Sequence, residues 1–322
     1  MKVIFNGLGS IGRRHLTNLS ELCRELDLPL EIHALRSTDK PLIEDVGTMI
    51  DKEVYDLAVL DSQYDIAFIT NPTGQHYKAI MNLLGRCKHM FIEKPLFDST
   101  NYSIEDMPWR AGGIYYVAAP LRYTGVVQAL EQIVKEESIY NIRVICSSYL
   151  PDWREGVDYR TVYSAKNNEG GGVRTDLIHE WDYITHLFGF PEQVYSLSGT
   201  FSELEIDSED IAVYIAAYKD KLIEVHLDYF GRVPQRKIEL YTRDGLITGD
   251  FLTNRIHYSD NRGTIDLSTS STSMYVAEMR HFLELILNSP GQPSAEHTVP
   301  KPLAYVHHAY EVLKLSTGRQ QG

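Results

Sequence analysis

Three glycines near the start of the chain have a spacing suited to binding phosphate groups. Gly7, Gly9 and Gly12 form the pattern G-x-G-x-x-G directly after a short apolar run. In a dinucleotide site the first glycine permits a tight turn, the second lets the backbone approach a pyrophosphate, and the third lets the helix pack on its strand. A helix that begins here offers free N–H groups and a partial positive charge to phosphate. We therefore predict a dinucleotide-binding loop, with Ser10 and Ile11 as further cofactor contacts.

The residues after the second predicted strand (residues 30–35) bear on which dinucleotide binds. Arg36 and Ser37 occupy the place where NAD-binding folds carry an acidic residue for the ribose 2′-hydroxyl. A cation and a hydroxyl attract a 2′-phosphate instead, so the sequence favours NADP(H) over NAD(H). Asp39 lies close enough to keep NAD(H) possible.

Polar residues also follow two later predicted strands, at residues 64–70 and 89–92. Ligands of open α/β sheets bind at the carboxyl ends of the strands. A lysine after a buried strand, ahead of a proline that fixes the backbone, is well placed to point into a cleft. We predict that the cofactor contacts Asn71, Pro72, His76, Glu93 and Lys94, and that Lys94 also contacts substrate.

A helical pattern after the glycine run at residues 170–172 carries titratable side chains on one face. At about 100° per residue, a polar stripe opposes an apolar one. The polar stripe contains Asp176, His179, Tyr183 and His186, and the apolar stripe contains Leu177, Trp181, Ile184 and Phe188. The titration range of histidine suits acid–base chemistry near neutral pH. Such opposed faces are expected of a helix that lines a cleft and also of any surface helix, so the pattern alone makes His179 a candidate acid–base group, and we expect His186 to be structural.

The long loop at residues 151–172 is rich in Arg, Tyr, Trp and Gly, and loops of this length are more often functional than idle. Its side chains could stack on a sugar ring and bind carboxylate or phosphate. Alternatively, Asp152, Glu155 and Asp158 pair with the basic side chains locally. With one residue from an earlier loop, the predicted substrate contacts are Arg122, Trp153, Arg154, Tyr159, Arg160 and Tyr163.

The pattern of strands and helices predicts two domains. Up to about residue 119, apolar strands alternate with helices, one of them at residues 40–52, as in a doubly wound parallel sheet. Beyond residue 191 apolar residues alternate with polar ones, which predicts an open antiparallel sheet. We expect a dinucleotide-binding domain at 1–119 and a substrate domain at 120–322, closed by two terminal helices at 273–287 and 302–315.

The amino-acid composition limits the classes of molecule that the protein can bind. With 322 residues, 43% hydrophobic and 23% charged, the chain has a globular composition, and its net charge of −13 disfavours nucleic acid and anionic membrane surfaces. We see no apolar run long enough for a membrane span and no room for a signal peptide before the first strand. The three cysteines have no metal-site spacing, so we predict no metal and expect buried or half-buried thiols in a reducing cytoplasm.

Five short motifs, taken in order, resemble the Gfo/Idh/MocA oxidoreductases, the glucose–fructose oxidoreductase and inositol dehydrogenase family. They are G-L-G-S-I-G from residue 7, N-P-T-x-x-H from residue 71, E-K-P from residue 93, G-G-G from residue 170 and D-L-I-H-E-W-D from residue 176. The resemblance implies a Rossmann domain, then an α/β domain with a large, mostly antiparallel sheet through which relatives form homodimers or homotetramers. It also implies Lys94, His179 and Asp176 as catalytic residues. One departure is that Asp176 precedes His179 by three residues rather than four, and Thr175 occupies the usual place.

This resemblance implies an NAD(P)-dependent enzyme that moves a hydride to or from a ring carbon of a sugar. His179 would transfer the proton, and Lys94 would hydrogen-bond the reacting oxygen or act as the base itself. Residues 148–165 resemble relatives from surface-polysaccharide pathways, which points to an amino, acidic or nucleotide-linked sugar. The alternatives are a reductase of an imine or a tetrapyrrole, and a cofactor-binding sensor without turnover.

Overall fold

The chain folds into two units. The computed structural model describes residues 1–42, 44–61, 63–268, 273–288 and 303–318. The first unit comprises Met1–Ala118 and Tyr275–Tyr310, and the second comprises Ala119–Met274 and Glu311–Gly322. No helix among these described residues is long and apolar enough to cross a membrane.

The first unit is built on a six-stranded parallel sheet, as the alternation of strands and helices predicts. Its strands lie in the order β3-β2-β1-β4-β5-β6, which is the doubly wound order in which ligands bind where the strand order reverses, beside β1. The strands are β1 (Lys2–Asn6), β2 (Glu31–Leu35), β3 (Lys52–Val54), β4 (Tyr64–Ile69), β5 (Cys87–Ile92) and β6 (Tyr115–Val117). The helices between them are α1 (Ser10–Glu25), α2 (Glu44–Gly47) and α3 (His76–Leu84).

Aromatic stacking holds the centre of this sheet. The rings of Phe5 and Phe68 on β1 and β4 stack with centroids 4.4 Å apart, and Phe91 on β5 lies 5.5 Å from Phe68. Helix α1 packs on the same core through Leu16, Leu19 and Leu22 at helical spacing. These contacts fix the strand ends from which the loops of the predicted cofactor site emerge.

The predicted helix at residues 40–52 is wrong. The structure has a four-residue helix, α2, and then the short strand β3, in which Glu53 pairs with Ala34 of β2. An edge position on the sheet, which local sequence does not reveal, outweighs helix propensity here. The change matters because it places the Glu53 side chain beside Arg36.

The second unit is built on an eight-stranded sheet in the order β14-β13-β12-β11-β7-β10-β9-β8. Every neighbouring pair is antiparallel except β7 and β10, so the sheet is mostly antiparallel, as expected. Trp181 packs edge-on against Tyr214 of β9. The strands are β7 (Ile139–Tyr149), β8 (Gln193–Gly199), β9 (Ile211–Ala217), β10 (Leu222–Asp228), β11 (Phe230–Thr242), β12 (Gly245–Asp250), β13 (Arg255–Tyr258) and β14 (Thr264–Asp266); the helices are α4 (Gly125–Glu136), α5 (Val173–Asp176) and α6 (His179–Phe188).

Apart from Met274, α7 (Met274–Leu287) belongs to the first unit, and the boundary after Tyr310 divides α8 (Ala304–Ser316) between the two units, whereas the sequence-based division placed both helices in the second. Phe282 lies 5.3 Å from Phe91 and 6.3 Å from Phe68, ring centroid to centroid. The other boundary falls after Ala118, one residue from the expected position. The core of the first unit therefore includes side chains from both ends of the chain.

Candidate active site

The glycine loop is held by close backbone contacts that exclude any side chain at two of its positions. Gly7 has φ +112°, and a Cβ on it would lie 2.4 Å from the Asn71 nitrogen. A Cβ on Gly12 would lie 2.2 Å from the Gly7 carbonyl oxygen, which also accepts a hydrogen bond of 2.6 Å from the Thr70 hydroxyl. The loop after β1, the first turn of α1 and the loop after β4 thus meet backbone to backbone, as the motif predicts.

Gly9 differs from its two neighbours because its free side faces open space. Within the described part of the chain, a Cβ there would meet no atom within 4 Å, and Gly9 caps α1 without any side-chain hydrogen bond to the first turn. The helix therefore presents unused N–H groups and its dipole to a surface that a pyrophosphate can approach closely. The buried Oδ1 of Asn71 also has no hydrogen-bond partner among the described residues. These features fit a bound dinucleotide.

Arg36, predicted to bind a 2′-phosphate, is engaged within the protein. Its guanidinium pairs with the carboxylate of Glu53 and hydrogen-bonds the Lys40 carbonyl oxygen, and it lies 3.3 Å from the Tyr55 hydroxyl. The carboxylate of Glu53 holds the pKa of Arg36 above its ordinary value. A 2′-phosphate would have to compete with Glu53 for this cation, so the preference for NADP(H) stays a prediction.

Lys94 is the one partly exposed residue between Phe91 and Phe97, a stretch that is otherwise buried. Glu93 before it is buried, and its Oε1 lies 2.5 Å from Nε2 of the fully buried His15. Burial raises the pKa of Glu93, but the hydrogen bond from His15 and the charge of Lys94 outweigh it and lower that pKa. Glu93 was predicted to bind cofactor, and the structure shows its carboxylate directed inward to His15.

His76 was also expected to bind cofactor, but its ring lies inside the fold. It is 1% exposed, and its Nε2 lies 2.9 Å from the Asn71 carbonyl oxygen and its Nδ1 3.0 Å from that of Pro95. Burial lowers its pKa more than these carbonyl groups raise it. We therefore assign His76 to holding the loops after β4 and β5 together, whereas Pro72 is exposed and Asn71 half-buried.

In the second unit, the predicted single helix after residue 172 is two helices. α5 ends at Asp176, Leu177 and Ile178 form a buried turn, and α6 begins at His179. The predicted apolar positions Trp181 and Ile184 are fully buried, as expected. The predicted polar stripe is wrong: the turn at residues 177–178 separates Asp176 from α6, and Tyr183, on the same side of α6 as His179, is fully buried with its ring 5.1 Å from that of Phe251. His179 remains partly exposed at the start of α6.

Asp176 is buried, and tyrosines surround its carboxylate. The Tyr229 hydroxyl donates a 2.7 Å hydrogen bond to its Oδ2. Burial raises the pKa of Tyr163, and Asp176 raises it further through charge and a hydrogen bond. Tyr229 in turn packs edge-on against Trp153, with centroids 5.2 Å apart. Asp176 is thus placed to fix the turn that precedes His179, and the residues around it come from the long loop and from the end of β10.

The basic residues predicted to contact substrate differ in what already holds them. Arg160 pairs with Asp158 and Glu205, and Arg122 makes a bidentate pair with Asp182 of α6. Arg154 has its guanidinium 5.7 Å from the Tyr163 ring centroid, and no carboxylate of the described residues lies within ion-pair distance of it. Arg154 also lines a small apolar recess with Leu150, Trp153, Val157, Tyr159 and Val162. The alternative of local ion pairing therefore explains the presence of Arg160 in this loop, but it does not explain that of Arg154.

Three residues of interest have no signal in the sequence. His15, Glu53 and Tyr229 were not singled out, because each matters through a partner at least 17 residues away. His15 lies three residues after the glycine motif, which could have marked it for attention. Tyr229 could not have been found, since the period-two pattern of its strand explains it fully as a core residue.

The described residues contain one cluster of possible metal ligands, formed by Glu31, His33 and Asp61. The ammonium of Lys2 already lies 3.1 Å from Glu31 Oε1 and 2.6 Å from Asp61 Oδ2. The cluster therefore has its own cation. It sits at the amino end of β2, opposite the edge that carries the glycine loop.

The doubly wound sheet and its open glycine loop define the class, a dinucleotide-binding protein of the Rossmann type. Residues 1–107 match the family model described as "Oxidoreductase family, NAD-binding Rossmann fold", and residues 127–248 match the "GFO/IDH/MocA C-terminal domain". The chain belongs to the Gfo/Idh/MocA family of oxidoreductases, as the sequence motifs predict. No curated protein sequence matches it.

Solved structures show the same fold over nearly the full chain. A levoglucosan dehydrogenase in complex with NADH and levoglucosan has a TM-score of 0.78 at 14% identity, covering 99% of this chain and 95% of its own. The UDP-N-acetylglucosamine 3-dehydrogenase of Acidithiobacillus ferrooxidans has a TM-score of 0.72 at 18% identity, covering 99% of this chain and 97% of its own. The myo-inositol 2-dehydrogenase of Lactobacillus plantarum has a TM-score of 0.70 at 19% identity, covering 98% of this chain and 95% of its own.

Proposed function

We propose that this protein is an NAD(P)-dependent dehydrogenase that transfers a hydride between nicotinamide and a hydroxyl-bearing ring carbon of a sugar. The observation that carries the proposal is Lys94, a partly exposed cation in a buried segment, at the sheet edge whose glycine loop fits a dinucleotide. When bound, the nicotinamide accepts or releases the hydride. The dehydrogenases of similar fold, whose names include three different sugars or cyclitols, support this substrate class.

The residues of the chain supply the proton chemistry. We assign His179 to the proton that leaves or joins the sugar oxygen, because histidine is the side chain best suited to acid–base chemistry near neutral pH and His179 is partly exposed. Lys94 donates a hydrogen bond to that oxygen and stabilises the negative charge developing on it, or exchanges the proton itself. Asp176 is buried and acts on the turn before His179, so we regard it as a positioning residue.

The test compares His179→Asn and Lys94→Met with His186→Asn, a control in the same helix whose histidine pairs with Glu131 at the surface. We expect kcat for sugar oxidation to fall about 10²- to 10⁴-fold in the first two, the range for general acid–base groups. Cofactor Kd, followed by nicotinamide fluorescence, should change less than about threefold. Equal losses in kcat and cofactor affinity would contradict the assignment, and cofactor binding without turnover of any sugar would favour the sensor alternative.

The finer substrate class that we propose is an amino, acidic or nucleotide-linked sugar. Arg154 supports it, because this cation beside an apolar recess has no carboxylate partner among the described residues. Arg154→Gln should raise KM for acidic or phosphorylated sugars at least about tenfold and leave neutral sugars unchanged, as expected for a charge-assisted contact. Arg160→Gln is the matched control, since Asp158 and Glu205 already neutralise that arginine. A neutral sugar as best substrate would contradict this part.

We also propose a homodimer or homotetramer that forms through the open face of the second sheet. Leu197 on β8 is 82% exposed, and Tyr195 and Ile215, paired across β8 and β9, are also exposed. Apolar residues in such a cluster mark interaction surfaces. Leu197→Asp should reduce the mass measured by light scattering, whereas Leu252→Asp, at an exposed turn, should not.

The three cysteines are free and buried, which agrees with the cytoplasmic location we predict.

A further inference from the structure

Two buried histidines hold the segment that carries Lys94, each from a different helix. His15 on α1 reaches Glu93, and His76 on α3 reaches the carbonyl groups of Pro95 and Leu96. Both imidazoles are at most 1% exposed. The four residues after β5 are therefore fixed from inside the first unit, on both sides of the one side chain that points outward.

The carboxylate of Glu93 links α1 to the Lys94 backbone. Its Oε1 lies 2.5 Å from the His15 Nε2, and its Oε2 accepts a 3.2 Å hydrogen bond from the Lys94 backbone N–H. Because an ionised carboxylate only accepts, the His15 Nε2 must carry the proton and donate it. Rotating Glu93 away from His15 would break the contact with Lys94 as well. The orientation of the Lys94 peptide thus depends on the His15 side chain of α1, through Glu93.

Packing alone does not explain a histidine at position 15. Its ring contacts Phe91 and Tyr275, with centroids 4.7 and 6.3 Å apart, which an apolar residue of similar size could also do. Its Nδ1 is buried with no hydrogen-bond partner among the described residues. An unpaired buried polar atom costs about 1–3 kcal/mol. What the imidazole adds over an apolar side chain is its bond to Glu93.

We propose that His15 is a positioning residue for catalysis, which acts through Glu93 to hold Lys94 in the orientation needed at the reacting oxygen. The inference rests on the role proposed for Lys94. Because His15 is fully buried, we assign its effect to Glu93 and not to direct contact with substrate or cofactor. Since misplacing a catalytic group by about 1 Å can cost about 10²-fold in rate, losing this bond should act on turnover much more than on cofactor binding.

The experiment compares His15→Leu, which removes the donor, with His15→Gln, whose amide can still donate to Glu93. His33→Leu is the matched control: His33 is also buried, and its Nε2 lies 2.8 Å from a glutamate, Glu31, at the opposite edge of the sheet. We expect kcat to fall about 10- to 100-fold in His15→Leu with cofactor Kd within about threefold. His15→Gln should recover most of the loss, and His33→Leu should lower thermal stability with kcat nearly unchanged. Equal kcat losses in His15→Leu and His33→Leu, or no recovery in His15→Gln, would overturn the inference.

A second measurement separates failure of this inference from failure of the proposed function. Amide hydrogen exchange at Lys94 needs no substrate, and Glu93 holds that N–H directly. Exchange should be at least about tenfold faster in His15→Leu than in wild type, and close to wild type in both His15→Gln and His33→Leu. If the wild-type protein oxidises no sugar, the proposed function fails, and this measurement alone decides: unchanged exchange in His15→Leu would refute the link from His15 to Lys94.

Discussion

The carboxylate of Glu53 determines whether the Arg36 guanidinium is available to a 2′-phosphate. In the structure the two side chains pair, with 11% of Arg36 and 37% of Glu53 exposed. Glu53→Gln removes the competing charge while keeping nearly the same shape. We expect this variant to bind NADPH more tightly and NADH unchanged, because only NADPH carries the phosphate that Arg36 would bind.

The size of the effect follows from the exposure of the pair. Two unit charges about 4 Å apart interact by about 1 kcal/mol in water and about 4 kcal/mol near a protein surface. Solvent around Glu53 places the interaction at about 1 kcal/mol, the upper end of what exposed pairs contribute. Since about 1.4 kcal/mol is tenfold in affinity, NADPH should bind roughly fivefold more tightly to Glu53→Gln.

The assay is a fluorescence titration of both reduced cofactors against four proteins: wild type, Glu53→Gln, Arg36→Ala and the double variant. The gain for NADPH should disappear in the double variant, because it depends on the arginine. Glu205→Gln, which removes an exposed partner of Arg160 in the second unit, controls for the change in net charge. Equal tightening of NADH and NADPH, or a gain that survives Arg36→Ala, would refute the reasoning.

Two further predictions concern a buried histidine and a buried tyrosine. Burial, followed by the charge of Lys88, lowers the pKa of His89 to about 4. In the folded protein the Nδ1 of His89 accepts a hydrogen bond from the Ile114 N–H. The unfolded chain therefore takes up this proton first: the stability contributed by neutral His89 is complete above pH 6.5 and is lost as pH falls to about 4, by up to about 3 kcal/mol. The amide oxygen of His89→Asn can still accept this hydrogen bond but does not titrate. In urea unfolding, the free energy of unfolding of this variant should therefore fall less between pH 7 and 4 than that of wild type. Parallel pH dependences of the two proteins would contradict this. Tyr229→Phe removes the donor to buried Asp176, and kcat should fall about tenfold with cofactor Kd unchanged, whereas Tyr214→Phe, which loses a bond to the Ser316 carbonyl oxygen, should change stability alone.

The glycine loop could be predicted from sequence because its requirements are local. Gly7 and Gly12 are excluded from bearing a side chain by backbone atoms of the same loop and of the neighbouring loop, and Gly9 faces open space. The G-x-G-x-x-G spacing therefore marks, within six residues of sequence, the positions where a side chain would not fit or where a ligand can approach. The parallel sheet of the first unit follows from the alternation of apolar runs and helices.

Pairings between distant charges could not be predicted. Sequence shows that the long loop holds nearly equal numbers of acids and bases. It does not show that Glu205, 45 residues away, neutralises Arg160, or that Arg154 has no such partner in the described part of the chain. The same limit hid the pairing of Arg36 with Glu53. A helical wheel likewise assumes an unbroken helix and does not show what packs on each face, so it missed both the break at residues 177–178 and the burial of Tyr183 against Phe251.

The return of α7 to the first sheet has a consequence for how the protein is made. Phe282 completes a core begun by Phe5, Phe68 and Phe91, so the first 118 residues leave the ribosome without one of the aromatic side chains that this core contains. The cofactor-binding half can finish folding only after residues 119–274 of the second unit, and then α7, have been translated. A gene fragment ending near residue 119 should therefore yield an aggregation-prone product, whereas fusing residues 273–318 to it through a flexible linker should restore a soluble cofactor-binding protein.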